Sequence, residues 1–100
     1  MKVASIGEVP PGSVKHILVR GKPVALCNVQ GQFFAVNEIC PHMGGPLSGG
    51  KLEGFILACP WHGWTFDVRT GQPDHPGGHS ISTYEVKVEA GEIWVGWLKQ

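Results

Sequence analysis

The sequence has no excess of either charge. Its 100 residues contain eight lysines and arginines and eight aspartates and glutamates, which cancel. No basic stripe is present, which argues against nucleic-acid binding, and no run of like charge indicates an interaction tail. A chain of this length has room for one modest hydrophobic core. We therefore expect a single domain over residues 1–100 without a large substrate cavity.

Long apolar runs are absent as well. The longest extend over only a few residues, whereas a transmembrane helix needs about 20 apolar residues in a row. At the N-terminus, Glu8 and the pair Pro10–Pro11 come before any apolar region, which is unlike a signal peptide. We therefore expect a protein that does not bind a membrane and that is located in the cytoplasm.

Cysteine is scarce, and its number is odd. Three cysteines cannot form a complete set of disulfides. In a reducing compartment, cysteines near histidines are typical of metal ligands or catalytic groups. Cys27 shares an alternating pattern with Ala25 and Val29, so we interpret it as a buried structural thiol. Cys40 and Cys59 are each followed closely by a histidine.

A sustained helical stripe is missing too. With 15 glycines and 8 prolines in the chain, long helices would be difficult to form. Short runs of alternating residues are present instead, separated at Gly21 and Gly31 and by a turn at Ala90–Gly91, and this pattern predicts antiparallel strands and hairpins. We therefore predict an all-β fold, a small antiparallel sandwich or barrel. The alternating runs are residues 13–20, 23–30, 32–38 and 82–99.

The alternation is interrupted between about residue 38 and residue 67, where two glycine- and proline-rich loops each carry a cysteine and a histidine. Two short strands, around residues 51–52 and 55–58, predict a hairpin between these loops. Because a hairpin brings its two ends together, the loops should meet at one tip and their side chains should converge. The four candidate ligands are Cys40, His42, Cys59 and His62.

The spacing of these four side chains is Cys-x-His, then sixteen residues, then Cys-x-x-His. Zinc would accept two thiolates and two imidazoles, but zinc sites usually pair like ligands within each half-site. Here each loop supplies one cysteine and one histidine. This arrangement suits a site with two metals, in which one iron binds both cysteines and the other binds both histidines. A [2Fe–2S] cluster is therefore favoured, and a structural zinc-binding module is the alternative.

The two motifs, their spacing and the segment 63–71, GWTFDVRTG, resemble the Rieske family closely over about thirty residues, and the flanking strands resemble it more loosely. The resemblance implies a Rieske fold with one [2Fe–2S] cluster in a cluster-binding subdomain of about residues 38–67. The base would comprise about residues 1–37 and 68–100. Cys40 and Cys59 would bind the inner iron, and His42 and His62 would bind the outer iron.

The resemblance also implies a function. The chain would be a one-electron carrier, a Rieske-type ferredoxin and not an enzyme, that accepts electrons from an NAD(P)H-dependent flavoprotein reductase and delivers them to a terminal oxygenase. It would be a monomer, and its partners would dock at the tip, over His42, His62 and residues 43–46. The motifs are similar as well to the small Rieske-like subunit of assimilatory nitrite reductase, whose partner would be the large subunit of that enzyme.

Four positions indicate where the reduction potential should lie. High-potential members of the family carry an extra cysteine in each loop, joined as a disulfide, and the matching residues here are Gly45 and Trp61. Those members also place a serine and a tyrosine that donate hydrogen bonds to cluster sulfurs, where this chain has Trp64 and Phe66. Because fewer donors leave the reduced cluster less stabilised, we expect a potential near the low end of the family's range, roughly −150 mV.

The other histidines are weaker candidates. His16 alternates within a strand run, so we expect it at the surface. Asp74, His75 and His79 form a set that can hold mononuclear iron, but they lie in a proline- and glycine-rich loop. We expect this loop to cover the cluster on a third side instead. For Trp61, packing and a role in a docking rim are both open.

Overall fold

The computed structural model describes residues 1–41, 44–61, 63–74 and 78–98, with side chains as far as residue 96. Within these ranges the chain forms nine strands and two short 3-10 helices and contains no α-helix. The all-β prediction is therefore confirmed. The strands are β1 (Lys2–Ser5), β2 (Val14–Val19), β3 (Lys22–Val29), β4 (Gln32–Asn37), β5 (Lys51–Glu53), β6 (Ile56–Ala58), β7 (Thr65–Asp67), β8 (Thr83–Glu89) and β9 (Glu92–Leu98), and the 3-10 helices are Ile6–Glu8 and Leu47–Gly49.

Six strands form one antiparallel sheet in the order β1-β9-β8-β4-β3-β2. Its edge strands β1 and β2 approach each other, so the sheet nearly closes on itself. Three of its hairpins turn through two residues, Arg20–Gly21, Gln30–Gly31 and Ala90–Gly91, and both residues of each pair have a positive φ. Such turns match the twist of the strands that they join. Glycine at the second position of each turn is the signal by which the sequence predicted these hairpins.

Strand β3 lies between two hydrophobic cores. Val24 and Leu26 face the core inside the large sheet, whereas Ala25, Cys27 and Val29 face a second core on the other side. Because both faces are covered, Val24 to Val29 are all buried, and apolar residues occupy the run almost without interruption. The prediction that Cys27 is a buried thiol is confirmed, since its side chain is fully buried.

The second core connects the large sheet to a small one. Strands β5, β6 and β7 form this small sheet, and Leu57 of β6 and Phe66 of β7 pack in the same core as Cys27. The predicted hairpin around residues 51–58 is confirmed as β5 and β6. Strands β1 and β7 were not predicted, because these short segments show no alternating period and neither was recognised as half of a hairpin.

A second contact fixes the small sheet against the large one. The rings of Phe34, on β4, and Phe55, between β5 and β6, meet edge to face with centroids 5.8 Å apart. The guanidinium of Arg69 lies 4.0 Å from the centre of the Phe55 ring and donates two hydrogen bonds to Asp67, at 3.0 and 2.8 Å. These hydrogen bonds hold the pKa of Asp67 below its ordinary value, although partial burial opposes the shift.

No helix among the described residues is long and apolar enough to cross a membrane.

Candidate metal centre

The first cysteine loop, residues 40–45, is closed by two backbone hydrogen bonds. The N–H of Cys40 donates to the carbonyl of Gly45 at 2.9 Å, and the N–H of Gly44 donates to the carbonyl of Cys40 at 2.9 Å. Gly44 has a φ of 76°, a left-handed conformation that glycine adopts without steric cost. Pro41 follows the cysteine directly and restricts the backbone. These contacts restrict the backbone on both sides of Cys40 and so limit where its side chain can lie.

The second loop, residues 59–64, repeats the pattern of the first. The N–H of Cys59 donates to the carbonyl of Trp64 at 2.6 Å, and the N–H of Gly63 donates to the carbonyl of Cys59 at 3.2 Å. Gly63 is also left-handed, with a φ of 71°, and Pro60 follows the cysteine. Two loops of equal length and equal hydrogen bonding therefore present the two cysteines in the same way.

Each loop lies at the end of an antiparallel pair. Ile39 bridges to Pro46 ahead of the first loop, and Ala58 pairs with Thr65 at the end of the β6–β7 hairpin, ahead of the second. Each cysteine is therefore the first residue beyond a paired position, where the backbone is fixed on one side and the loop begins on the other.

A buried carboxylate closes the base of the first loop. Glu38 is only 5% exposed, and its carboxylate accepts hydrogen bonds from the N–H of Ser48 at 3.0 Å and from the Ser48 hydroxyl at 2.7 Å. The carbonyl of Glu38 accepts from the N–H of Leu47 at 2.8 Å. This contact was not predicted from the sequence. The available signal was a glutamate at the end of an alternating run, which gives no indication of its partner ten residues later.

The thiols of Cys40 and Cys59 lie together in the second core, where they are 2% and 3% exposed. The pKa of the Cys59 thiol is raised, chiefly by burial and to a smaller extent by the neighbouring Cys40 thiol. The backbone N–H of Trp61 opposes this shift. Both cysteines thus lie in one core, and Gly45, whose carbonyl accepts from the N–H of Cys40, lies against Sγ of Cys59. The prediction that the hairpin brings the two cysteines to one place is supported by this contact.

Glycine at position 45 makes room for this pair. A β-carbon on Gly45 would lie 2.9 Å from Sγ of Cys59 and 3.1 Å from two carbons of the Trp61 ring. Gly45 and Trp61, the residues that match the disulfide of high-potential Rieske proteins, are therefore in contact. Phe66 is fully buried in the same core as both cysteines, and Trp64 packs against that core while partly exposed.

The chemistry of these donors fits a cluster with thiolate ligands. Two ionised thiols side by side in an apolar core would repel each other and lack solvation, so they need a cation between them, and metal binding favours the deprotonated form. The backbone N–H of Trp61 already donates to one sulfur, which is the kind of contact that stabilises thiolate ligands of iron. His42 and His62 lie outside the described residues, so their part in the ligand set stays a prediction.

The weaker candidates that the structure describes are exposed, unlike the two thiols. His16 is exposed on β2, as predicted, and Asp74 and His79 are exposed, whereas His75 lies outside the described residues. Within the described ranges, no group of three histidine, cysteine or acidic side chains could hold a metal ion. The N–H of Asp74 donates to the carbonyl of Thr65 at 2.8 Å. The third loop therefore begins alongside β7, next to the second cysteine loop.

Cys27 differs from the two loop cysteines in its surroundings. Burial, with a smaller contribution from the charge of Glu38, raises its pKa to about 12. A thiol with such a pKa is protonated near neutral pH and is a poor nucleophile and a poor metal ligand. Its burial in β3 therefore agrees with a structural role.

Comparison with known proteins places these features in a family. The family model described as Rieske [2Fe-2S] domain matches residues 1–85. The chain is 34% identical over 102 residues to Ferredoxin CarAc of Metapseudomonas resinovorans, covering 100% of this chain and 95% of that protein. It is 38% identical over 89 residues to the ferredoxin component of the naphthalene 1,2-dioxygenase system of Pseudomonas aeruginosa, covering 88% of this chain and 86% of that protein.

Solved structures have the same fold. A chain from the complex of reduced oxygenase and oxidized ferredoxin in carbazole 1,9a-dioxygenase superimposes with a TM-score of 0.88 at 35% identity, over 95% of this chain and 90% of that one. A chain described as the small subunit of an NADPH nitrite reductase superimposes with a TM-score of 0.86 at 21% identity, over 97% of both chains. At 21% identity, the similarity to the nitrite reductase subunit shows only that the two chains share a fold.

Proposed function

We propose, because the chain belongs to the Rieske [2Fe–2S] domain family, that it is a one-electron carrier that passes electrons from an NAD(P)H-dependent flavoprotein reductase to a terminal oxygenase. One observation carries this proposal: the chain aligns with a stand-alone ferredoxin over nearly the full length of both proteins. It is an electron-transfer component of a multicomponent oxidoreductase, and it does not itself transform a substrate. We propose a cytoplasmic location and a monomer.

The cofactor is one [2Fe–2S] cluster, which gains and loses a single electron when it is bound. We propose that Cys40 and Cys59 are the thiolate ligands of one iron and that His42 and His62 are the imidazole ligands of the other. The support for the cysteines is that both are buried in the same core. The support for the histidines is their spacing relative to these cysteines.

The division of the chain into two parts is a proposal as well. The cluster-binding subdomain comprises about residues 38–67, and the base comprises about residues 1–37 and 68–100. Support comes from the small sheet β5–β7, which lies wholly within the first range. The two parts are not separate domains, since Val68 and Ile81 of the base pack in the same core as both cysteines.

The surface around the two loops suits partners that dock without charge steering. Pro41, Pro46 and Pro60 are exposed, and Trp61 is 50% exposed. None of these four side chains carries charge. Association with the reductase and the oxygenase would therefore depend on shape and apolar contact more than on electrostatic steering, and its rate should change little with ionic strength. We propose this tip, together with His42, His62 and Met43, as the docking face.

Metal and sulfide analysis tests the cofactor. The purified protein should contain two irons and two acid-labile sulfides per chain. After reduction, its electron paramagnetic resonance spectrum should show a lower average g than a cluster with four cysteines, because imidazoles are poorer electron donors than thiolates. Stoichiometric zinc without labile sulfide, in protein prepared anaerobically, would show that the site is a zinc-binding module instead.

Electron transfer tests the carrier function and the docking face. Reduced protein should pass electrons to the terminal oxygenase of a carbazole or naphthalene dioxygenase system and should be reduced by NADH with the matching reductase. Pro46→Glu should slow both steps, whereas Val88→Glu, which places the same charge on exposed Val88 of β8, should not. Equal slowing by both variants would show that partners dock elsewhere. Co-purification with a sirohaem subunit would identify the nitrite reductase function instead.

A further inference from the structure

Trp61 has an unusual position for a large apolar side chain. It is 50% exposed, yet it lies next to the buried sulfur of Cys59. A β-carbon on Gly45 would lie 2.9 Å from Sγ of Cys59 and 3.1 Å from each of two carbons of the Trp61 ring. The ring of the second loop therefore packs directly against the backbone of the first loop, and the missing side chain of Gly45 makes this approach possible.

The backbone of Trp61 acts on the same sulfur. Its N–H favours the ionised form of the Cys59 thiol and lowers the pKa of that thiol. The second loop is closed by its own backbone hydrogen bonds, which join Cys59 to Gly63 and to Trp64. The first loop is fixed at its base by Glu38 and Ser48. Contact of the Trp61 ring with Gly45 thus connects the second loop to the better fixed first loop.

We infer that Trp61 is a positioning residue: its ring, packed on Gly45 beside the sulfur of Cys59, holds the two cysteine loops together. The inference rests on the proposed function only in taking Cys40 and Cys59 as ligands. In geometry, the contact between Trp61 and Gly45 takes the place of the disulfide that high-potential members of the family have at the matching positions. The β-carbon of one half-cystine lies about 3 Å from the sulfur of the other, and Cγ of Trp61 lies 3.1 Å from the β-carbon position of Gly45.

Three variants test this role. Trp61→Ala removes the ring, Trp61→Phe keeps an aromatic ring of smaller size, and Trp94→Ala removes a tryptophan of similar exposure, 36%, on β9. Each cluster-loaded protein is mixed with EDTA, and the half-life of its visible absorption is measured. Hydrogen exchange of residues 59–64 and of β3 is followed by mass spectrometry.

Trp61→Ala should lose its cluster roughly five- to thirtyfold faster than the wild type, the factor expected when a contact of moderate strength is removed. Its exchange should accelerate in residues 59–64 and not in β3, because the fold as a whole is retained. Trp61→Phe should restore most of the half-life, and Trp94→Ala should match the wild type. A folded Trp61→Ala chain that assembles no cluster would also support the inference.

Equal half-lives for Trp61→Ala and Trp94→Ala would overturn the inference, and so would faster exchange in β3 to the same extent as in residues 59–64. If Trp61→Ala does not fold, Trp61→Leu is measured in the same way and judged by the same comparison. Failure of the proposed function is distinguishable, because the wild type itself would then contain no iron and no labile sulfide.

Discussion

Substituting Gly50 by alanine should destabilise the protein more than the same substitution at any other glycine near the cysteine loops. Gly50 lies between the 3-10 helix Leu47–Gly49 and β5, opposite the end of β6. A β-carbon there would overlap the carbonyl oxygen of Ala58 and lie 2.9 Å from its carbonyl carbon and 3.2 Å from the carbonyl oxygen of Leu47. These are backbone atoms, and Ala58 directly precedes Cys59, so relief of the overlap requires the second loop to move.

The cost can be estimated from sterics alone. Gly50 has φ −87° and ψ −171°, a conformation open to alanine, so backbone strain does not contribute. Overpacking costs about 1–3 kcal/mol, and because backbone atoms cannot rotate away we expect a value of about 3 kcal/mol. For a domain of this size each kcal/mol corresponds to about 4–8 °C in the melting temperature. Gly50→Ala should therefore melt about 12–24 °C lower than the wild type.

The neighbouring glycine provides a matched control. A β-carbon on Gly49 would meet only Pro46 and Pro60, each at 3.9 Å, which is ordinary contact. Gly49→Ala should melt at the wild-type temperature or slightly above it, since alanine restricts the unfolded chain. Thermal unfolding followed by circular dichroism, with iron content measured on the same samples, compares the two variants. Equal melting temperatures and iron contents for both would refute the reasoning.

Three other changes give clear expectations. Cys27→Ala should keep two irons per chain while Cys59→Ala loses them, because Cys27 is a protonated thiol enclosed in the core; iron and sulfide analysis checks this. Phe66→Tyr should raise the midpoint potential in a redox titration, because it adds a hydroxyl donor to the core that contains the cysteine sulfurs. Asp67→Asn should lower the midpoint of urea unfolding at pH 7, and the difference from the wild type should shrink as the pH falls through about 4. The reason is that Arg69 depresses the pKa of folded Asp67. This stabilisation is therefore fully present above the unfolded pKa of about 4 and is lost as the pH falls from there through the lower folded pKa.

Each expectation has an outcome that contradicts it. Loss of iron in Cys27→Ala at an unchanged melting temperature would mean that this thiol contacts the cluster. A midpoint for Phe66→Tyr at or below that of the wild type would mean that the hydroxyl does not reach a sulfur. A difference between Asp67→Asn and the wild type that stays constant from neutral pH to well below about 4 would mean that the Asp67–Arg69 pair contributes through packing and not through charge.

Local chemistry explains why much of the fold could be predicted. The turns at Gly21, Gly31 and Gly91 need positive φ angles, and glycine supplies them wherever it stands, so the hairpins between β2, β3, β4 and between β8 and β9 are marked in the sequence. Strands β1 and β7 carry no such mark. Strand β1 exists because β9, near the other end of the chain, offers it a partner, and β7 exists because β6 offers it one across the second cysteine loop. Neither pairing is marked by a two-residue glycine turn.

The sequence by itself determined the all-β class, the principal hairpins and the cysteine–histidine spacing, since turn preferences, alternation and ligand identity belong to short segments. Only the tertiary structure decided which residues meet. Burial of both faces of β3, closure of the first loop by Glu38 and Ser48, and contact of Trp61 with Gly45 each join segments that are separate in the sequence. Their partners are chosen by how the small sheet packs on the large one, and that packing depends on shape and available volume throughout the core.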